Sequence, residues 1–453
     1  MSGDTARLLA GLGDFLAHAA PPEGARSRAA VALLDTIGVT LAGAAEPAGR
    51  IVQHVVAEEG GDRCRVLGVA ARAGAGGAAL ANGTAAHALD FDDMCFVSLA
   101  HPSAPLVAAA LAAAELERSS GRALLDAYVV GFEIEARLGR AMNPRHYQRG
   151  WHCTSTLGTI GAAAAASRLL RLDATAAGHA LAIAASEASG LKENFGTMVK
   201  PLHAGLAARN GVLAALLARR GMTASALALD GPQGYLHAMD SERPSVDREA
   251  ADLGSRWEIV ETGITVKLYP SCAGTHPMLD ALLDLRRREG FTAETVDAIE
   301  VVVDSITPTV LIYDRPASGL EAKFSMPFCA AAAVVRGQVG IETFDAAAIG
   351  DRAIAAMMPR VTMRVEPALD GVAPPLTQAR VSVRLKDGRT VTQAADGARG
   401  YPERPASGAD LDAKFMGCAR RTLPEASAAH ALKMLRAIEG VDAIGELTAL
   451  LQP

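Results

Sequence analysis

Apolar positions recur at intervals of three and four from Ser27 to about Arg220, in RAAVALLDTIGVTLAG, SAPLVAAALAAAELERSS, RALLDAYVVGFEIEARLGRAM, TLGTIGAAAAASRLL, ATAAGHALAIAASEASG and HAGLAARNGVLAALLARR. That spacing turns one face of each segment inward and predicts successive helices, several of them ended by Gly or Asn. Between about Lys267 and Gly400 the period changes to two, in VDAIEVVVDSI, PRVTMRVEPAL and ARVSVRLKDGRTVTQ, and Asp387-Gly388 is a hairpin signal. From Ala409 the tail returns to helical spacing in SAAHALKMLRAIEG and AIGELTALLQ. The opening MSGDTARLLAGLGDFLAHAA reads as an amphipathic helix, without the basic lead and clean apolar core of an export signal.

These patterns predict a mainly α chain in two parts. Residues 1–266 and 401–453 form a large all-helical domain, discontinuous in sequence, and residues 267–400 form a smaller α+β domain. A chain of 453 residues exceeds the size at which a single core stops growing. Half the residues are hydrophobic but only 4% are aromatic, which favours close-packed, alanine-rich helices over a strand-rich sandwich.

A net charge of -6 supplies no basic field for nucleic acid or an anionic membrane, so neither partner is expected. The apolar runs fall short of the roughly 18 residues that span a bilayer and read as buried helices. The 6 cysteines are scattered singly, without zinc-knot spacing or a disulfide framework, and read as reduced thiols of a cytoplasmic protein. The 11 histidines form no HxxxH or HExxH, so no metal is expected. The glycines of GAGGAA, Gly74 to Ala79, lack the βαβ context of a dinucleotide site and read as a turn into a helix.

Candidate chemistry gathers in four places. AHALDFDDMCFVSLAHPSAP brings Asp90, Asp92 and Asp93 close in sequence to His101, a set able to orient or replace a proton. Its plainer reading is helix capping. RHYQRGWHCTSTLGT places Tyr147 and His152 before a helix whose first turn holds Thr154, where free amides attract anions. NFGTMVKPLHAG carries Lys200 and His203 in apolar surroundings; such a lysine either moves protons or simply snorkels to the surface. KLYPSCAGTHPM carries Lys267, Tyr269, Cys272 and His276, with Cys272 read as a packing residue.

Taken in order, NGTAAHALDFDD, HPS, RGWHCTSTLGT, FGTMVKPLHAG, YPSCAGTH and KFSMPFCAAAA resemble the MmgE/PrpD family over essentially the whole chain. The resemblance implies a helical domain with a smaller α+β lid, a homodimer, no cofactor, and chemistry at a carbon beside a carboxylate of a di- or tricarboxylate. Family positions carry over onto Asp90, His101, His152, Lys200 and His276 as catalytic groups. Tyr147 and Lys200 match the opposed bases of the epimerase branch. Met94, Thr154, His203, Lys267 and Phe328 are expected to contact substrate. Met94 and Phe328 depart from the residues often seen there, threonine and tyrosine. The expected activity is a lyase, either dehydratase or decarboxylase, in which Lys200 or His152 moves the proton and His101, oriented by Asp90, acts as the opposite acid. An epimerase and a non-catalytic carboxylate-binding homologue are the alternatives.

Overall fold

The computed structural model describes residues 7–239, 243–371 and 377–453. The first six residues of the opening segment lie outside it. Helices form where the three-and-four spacing places them: α1 (Arg7–His18), α2 (Glu23–Gly43), α3 (Pro47–Glu59), α4 (Ala75–His87), α5 (Ser103–Glu117), α6 (Gly121–Met142), α7 (Cys153–Leu169), α8 (Ala174–Glu187) and α9 (Val199–Arg219). A short antiparallel hairpin, β1 (Cys64–Val66) with β2 (Ala71–Ala73), precedes α4. Gly74 does end that hairpin and cap α4.

Alanine and glycine set the spacing of this bundle. α5 and α7 are buried around nearly their whole circumference, so neither shows a polar face. α9 crosses α4 closely because Gly205 meets Thr84 and the Leu80 carbonyl, where a Cβ would collide. That crossing brings the start of α9 to the end of α4.

Beyond residue 266 the architecture becomes mixed. α10 (His276–Glu289) and α11 (Met326–Arg336) pack beside a sheet of β3 (Val296–Val303), β4 (Val361–Val365), β5 (Ala379–Leu385) and β6 (Thr390–Ala395). The strand order is β4-β3-β5-β6; β3 runs parallel to β4, and the β3/β5 and β5/β6 pairs are antiparallel. The turn at Asp387-Gly388 closes the β5–β6 hairpin, and Gly388 takes the positive φ of 90° that the turn requires. Tyr269 through Ala395 supply one hydrophobic core, while a larger one runs from Leu8 to Val266 and resumes with Leu411. The tail forms α12 (Gly408–Ala419), α13 (Glu425–Arg436) and α14 (Ile444–Leu450). α12 packs on α2, burying Phe415 over Gly38.

Among the described residues no single helix is long and apolar enough to cross a membrane. α2 and α3 meet that criterion only together, bent by 84°, and α2 is buried in the core from Leu33 to Gly43.

Candidate active site

A cleft with about 690 Å³ of empty space opens where the two cores meet. Its floor is the loop after α4. Asp90 sits there at φ 51°, a left-handed conformation uncommon for a residue with a side chain, though aspartate is among those that tolerate it. Lysines bond the backbone around it. Lys267 Nζ donates to the Asp90 carbonyl at 2.9 Å and to Asp90 Oδ2 at 2.8 Å. Lys323 Nζ donates to the Leu89 and Pro270 carbonyls, both at 2.8 Å, and Lys414 Nζ reaches the Phe91 carbonyl at 2.7 Å. The carbonyls of residues 89, 90 and 91 therefore each accept from a different buried or half-buried ammonium.

Lys200, in the first turn of α9, donates to Asp90 Oδ1 and, at 2.9 Å, to His87 Nε2. His87 in turn donates from Nδ1 to Asp92 Oδ2 at 2.8 Å, which fixes the tautomer that leaves Nε2 as an acceptor. His101 is anchored through its backbone, whose N–H donates to Thr154 Oγ1 at 2.9 Å. Its ring lies 3.9 Å from Asp90 Oδ1 and 3.5 Å from Asp92 Oδ2, beyond hydrogen-bond reach, and Nδ1 is buried without a partner among the described residues. The expected orientation of His101 by Asp90 is thus not a hydrogen bond; the loop and Thr154 place the ring. His152 caps α7, with Nδ1 3.0 Å from His203 Nδ1 and the Phe195 ring set edge-on against it.

Electrostatics divides these groups. Burial alone would raise the Asp90 carboxyl, yet the ammoniums of Lys200 and Lys267 hold it well below the usual range. Burial, reinforced by those lysine charges, pushes the His101 imidazole well below its ordinary value, and burial with the Lys200 charge does the same to His152. Both rings are neutral near pH 7. Burial also pushes the Tyr147 phenol upward, keeping it protonated, and raises the Cys272 thiol to about 11, leaving it no nucleophile.

Asp90, His101, Tyr147, His152 and Lys200 are brought together in the cleft lining, with Met94 and Lys267. Thr154 and His203 stand behind it, holding His101 and His152. His276 is fully buried away from the lining, its Nε2 3.2 Å from the Ser271 carbonyl and its ring edge-on to Tyr269. Phe328 lies in the smaller core against Phe344.

Sequence reasoning did not single out His87, although it stands inside the AHALDFDD motif. Phe195, Phe324 and Thr377 also line the cleft; the two phenylalanines stand inside quoted motifs, but an apolar or hydroxyl side chain carries no chemical signal of its own. His87, Asp90, Asp92 and His101 put ligand atoms within 4.8 Å of one another, a set that could hold a metal. However, Lys200 and Lys267 already occupy both Asp90 oxygens and the His87 lone pair, so a cation would have to displace two ammoniums.

A helical bundle joined to a small α+β unit thus sets the ammoniums of Lys200 and Lys267 and the imidazoles of His101 and His152 around one cleft. The MmgE/PrpD N-terminal domain model matches residues 10–246 and the C-terminal domain model residues 269–439. The chain belongs to the MmgE/PrpD family. It is 32% identical over 387 residues to the cis-aconitate decarboxylase of Homo sapiens, covering 83% of this chain and 79% of that one. It is 29% identical over 395 residues to the Mus musculus cis-aconitate decarboxylase (83% and 78%), and 27% over 408 residues to that of Aspergillus terreus (84% and 82%).

Proposed function

We propose that this chain is a lyase that acts, without metal or organic cofactor, on a small di- or tricarboxylate, with decarboxylation its first reading. The observation that carries it is the Lys200 ammonium, ion-paired with Asp90 on the cleft floor beside the neutral rings of His101 and His152. The likeness to three cis-aconitate decarboxylases supports the choice of decarboxylation over dehydration.

In this reading the carbon–carboxylate bond breaks and carbon dioxide leaves. The electron pair spreads into the neighbouring alkene and carboxylate, where Lys200 stabilises the charge and delivers the proton that quenches the carbon. Solvent returns that proton to Lys200. His101 and His152, being neutral, serve as acceptors when the step runs toward proton abstraction. The epimerase reading needs Tyr147 and Lys200 as bases, whereas burial pushes the Tyr147 phenol upward and Lys200 Nζ already bonds Asp90 and His87, which favours the lyase reading.

Proton NMR in deuterated water with cis-aconitate, citrate, 2-methylcitrate and iminodisuccinate tests the proposal. Loss of carbon dioxide with one deuteron gained supports it, whereas deuterium entering recovered iminodisuccinate alone would replace it with an epimerase. Tight binding without exchange would leave only a carboxylate-binding homologue. EDTA-treated protein should retain full turnover; a loss of tenfold or more, restored by a divalent cation, would place a metal among His87, Asp90, Asp92 and His101. The same reading carries a cytoplasmic homodimer, the oligomer being testable by light scattering.

A further inference from the structure

The loop that carries Asp90 lies antiparallel to the segment that carries Lys267. Their pairing begins as a backbone bridge, with Met94 N–H donating to the Thr265 carbonyl at 2.9 Å and Thr265 N–H to the Met94 carbonyl at 2.8 Å. Toward Asp90 the backbone rungs stop, because there carbonyls share donors with carbonyls. Lys414 Nζ donates to the Phe91 and Lys267 carbonyls at 2.7 and 2.8 Å. Lys323 Nζ donates to the Leu89 and Pro270 carbonyls, both at 2.8 Å. Two acceptors cannot bond each other, and a buried carbonyl left without a donor is strongly disfavoured. Each ammonium therefore stands in for a missing rung, one on either side of the Asp90–Lys267 ion pair in sequence.

The two clips come from distant parts of the fold. Lys414 belongs to α12 in the tail, where Asp35 of α2 pairs with it at 2.6 Å. Lys323 precedes α11 in the smaller unit, its Nζ 4.5 Å from the centre of the Phe344 ring. Both side chains are buried, and neither lines the cleft. The charges that hold the Asp90 carboxyl down are those of Lys200 and Lys267. Lys323 thus meets the site through backbone carbonyls alone.

We propose that Lys323 and Lys414 are positioning residues for the reaction. By bridging carbonyl pairs they set the spacing between the two segments, and with it the Asp90–Lys267 pair and the Lys200 ammonium that Asp90 engages. Lys323 does this as a donor of two hydrogen bonds, not through its charge. The smaller unit and the tail each contribute one clip, so the floor reaches its working geometry only with both docked on the helical bundle. A displacement of about 1 Å in such a floor costs about 100-fold in rate. The inference rests on the lyase reading for its kinetic readout only.

Lys323→Met keeps the length of the stem and removes both donors, whereas Lys323→Gln drops the charge and keeps two N–H donors. Carbon dioxide release from cis-aconitate gives kcat and KM. Amide hydrogen exchange, read by mass spectrometry over residues 89–94 and 265–271, follows the pairing without relying on activity. In Lys323→Met, kcat per folded chain should fall about 100-fold with KM and the pH profile of kcat little changed. The two segments should exchange about tenfold faster, and Lys323→Gln should recover most of both losses. Asp35→Asn combined with Lys414→Met removes the other clip without stranding a buried charge. It should show the same split between kcat and KM, and it carries the test should Lys323→Met not fold. Wild-type kcat and wild-type exchange in these variants would overturn the inference. A displaced pH profile, or a Gln variant no better than Met, would also overturn it, because charge would then be what Lys323 supplies. If the wild-type chain releases no carbon dioxide, the lyase reading falls, and the exchange measurement still decides the clips.

Discussion

Asp90 takes a left-handed backbone angle, and one of the lysines that bond its loop, Lys267, also sets its charge. Lys267 bonds both its carbonyl and its carboxylate, so this lysine, although it lines the cleft, faces Asp90 rather than open space. Lys267→Met should therefore act through Asp90. Turnover should fall 100-fold or more with KM changed less than tenfold, and the pH profile should shift as the Asp90 carboxyl loses one of its two stabilising charges. A rise in KM with kcat unchanged would instead make Lys267 a substrate ligand. Lys200→Ala removes the proposed proton donor and should cost about 100- to 10,000-fold in kcat, measured by carbon dioxide release, with the far-ultraviolet circular dichroism unchanged. At this scale the sequence was partly legible. Asp90, His101, His152 and Lys200 announce themselves by residue type within conspicuous motifs. Lys323 and Lys414 do not, because their role is to meet backbone carbonyls of a loop hundreds of residues away, and nothing local distinguishes them from surface lysines.

The elements place these residues through a small-residue contact. Gly205 lets α9 lie against Leu80 and Thr84 of α4, and it is this approach that brings Lys200 to His87. Gly205→Ala should force the helices apart. The expected outcome is a loss of about 1–3 kcal/mol in stability by denaturant melts together with a turnover loss larger than the fall in folded fraction explains. Retained activity at full stability would show that α4 can give way. Helix positions were readable because the tail helices keep exposed polar positions, and because capping residues such as Ser120 and Asp173 stand where their helices begin. α5 and α7 are buried nearly all round, so their length could be read but not which face meets the cleft. The helix α11 emerged from KFSMPFCAAAA, where Ser325 accepts from the Phe328 amide as a cap. Its burial inside the smaller core takes Phe328 out of substrate reach, and a motif carries no sign of which face of a helix will be inward.

Across the whole molecule, burial of titratable groups on both sides of neutrality ties stability to pH. Burial holds the imidazoles of His146 and His203 down to about 4 and that of His276 to about 3. An unfolded chain protonates these rings near ~6.5, so it binds more protons than the fold once pH drops below that value. Their contribution is present above ~6.5 and is lost as pH falls toward 4. Asp93 works in the opposite direction. Buried against Ser103 and close to Tyr128 through that hydroxyl, its carboxyl is raised to about 8, and Glu133 is raised to about 7, again by burial first. The fold keeps protons that an unfolded chain sheds near ~4, so this contribution is complete below ~4 and is lost as pH rises through 8. Between ~4 and ~6.5 the two trends oppose each other; above ~6.5 only the carboxyl trend remains, and stability should decline toward pH 8.5. Asp93→Asn isolates that decline. An amide keeps the acceptor for the Ser103 N–H; its NH2 replaces the oxygen onto which the Ser103 hydroxyl donates, leaving that hydroxyl to accept from the NH2 and bond Tyr128, and it cannot ionise. Between pH 6.5 and 8.5 the wild-type chain should lose about 2 kcal/mol through Asp93 alone, visible as a fall of several degrees in Tm, and the variant should lose correspondingly less. Equal slopes in the two proteins would mean that Asp93 is already ionised in the fold, with its charge answered by a group nearer than Ser103.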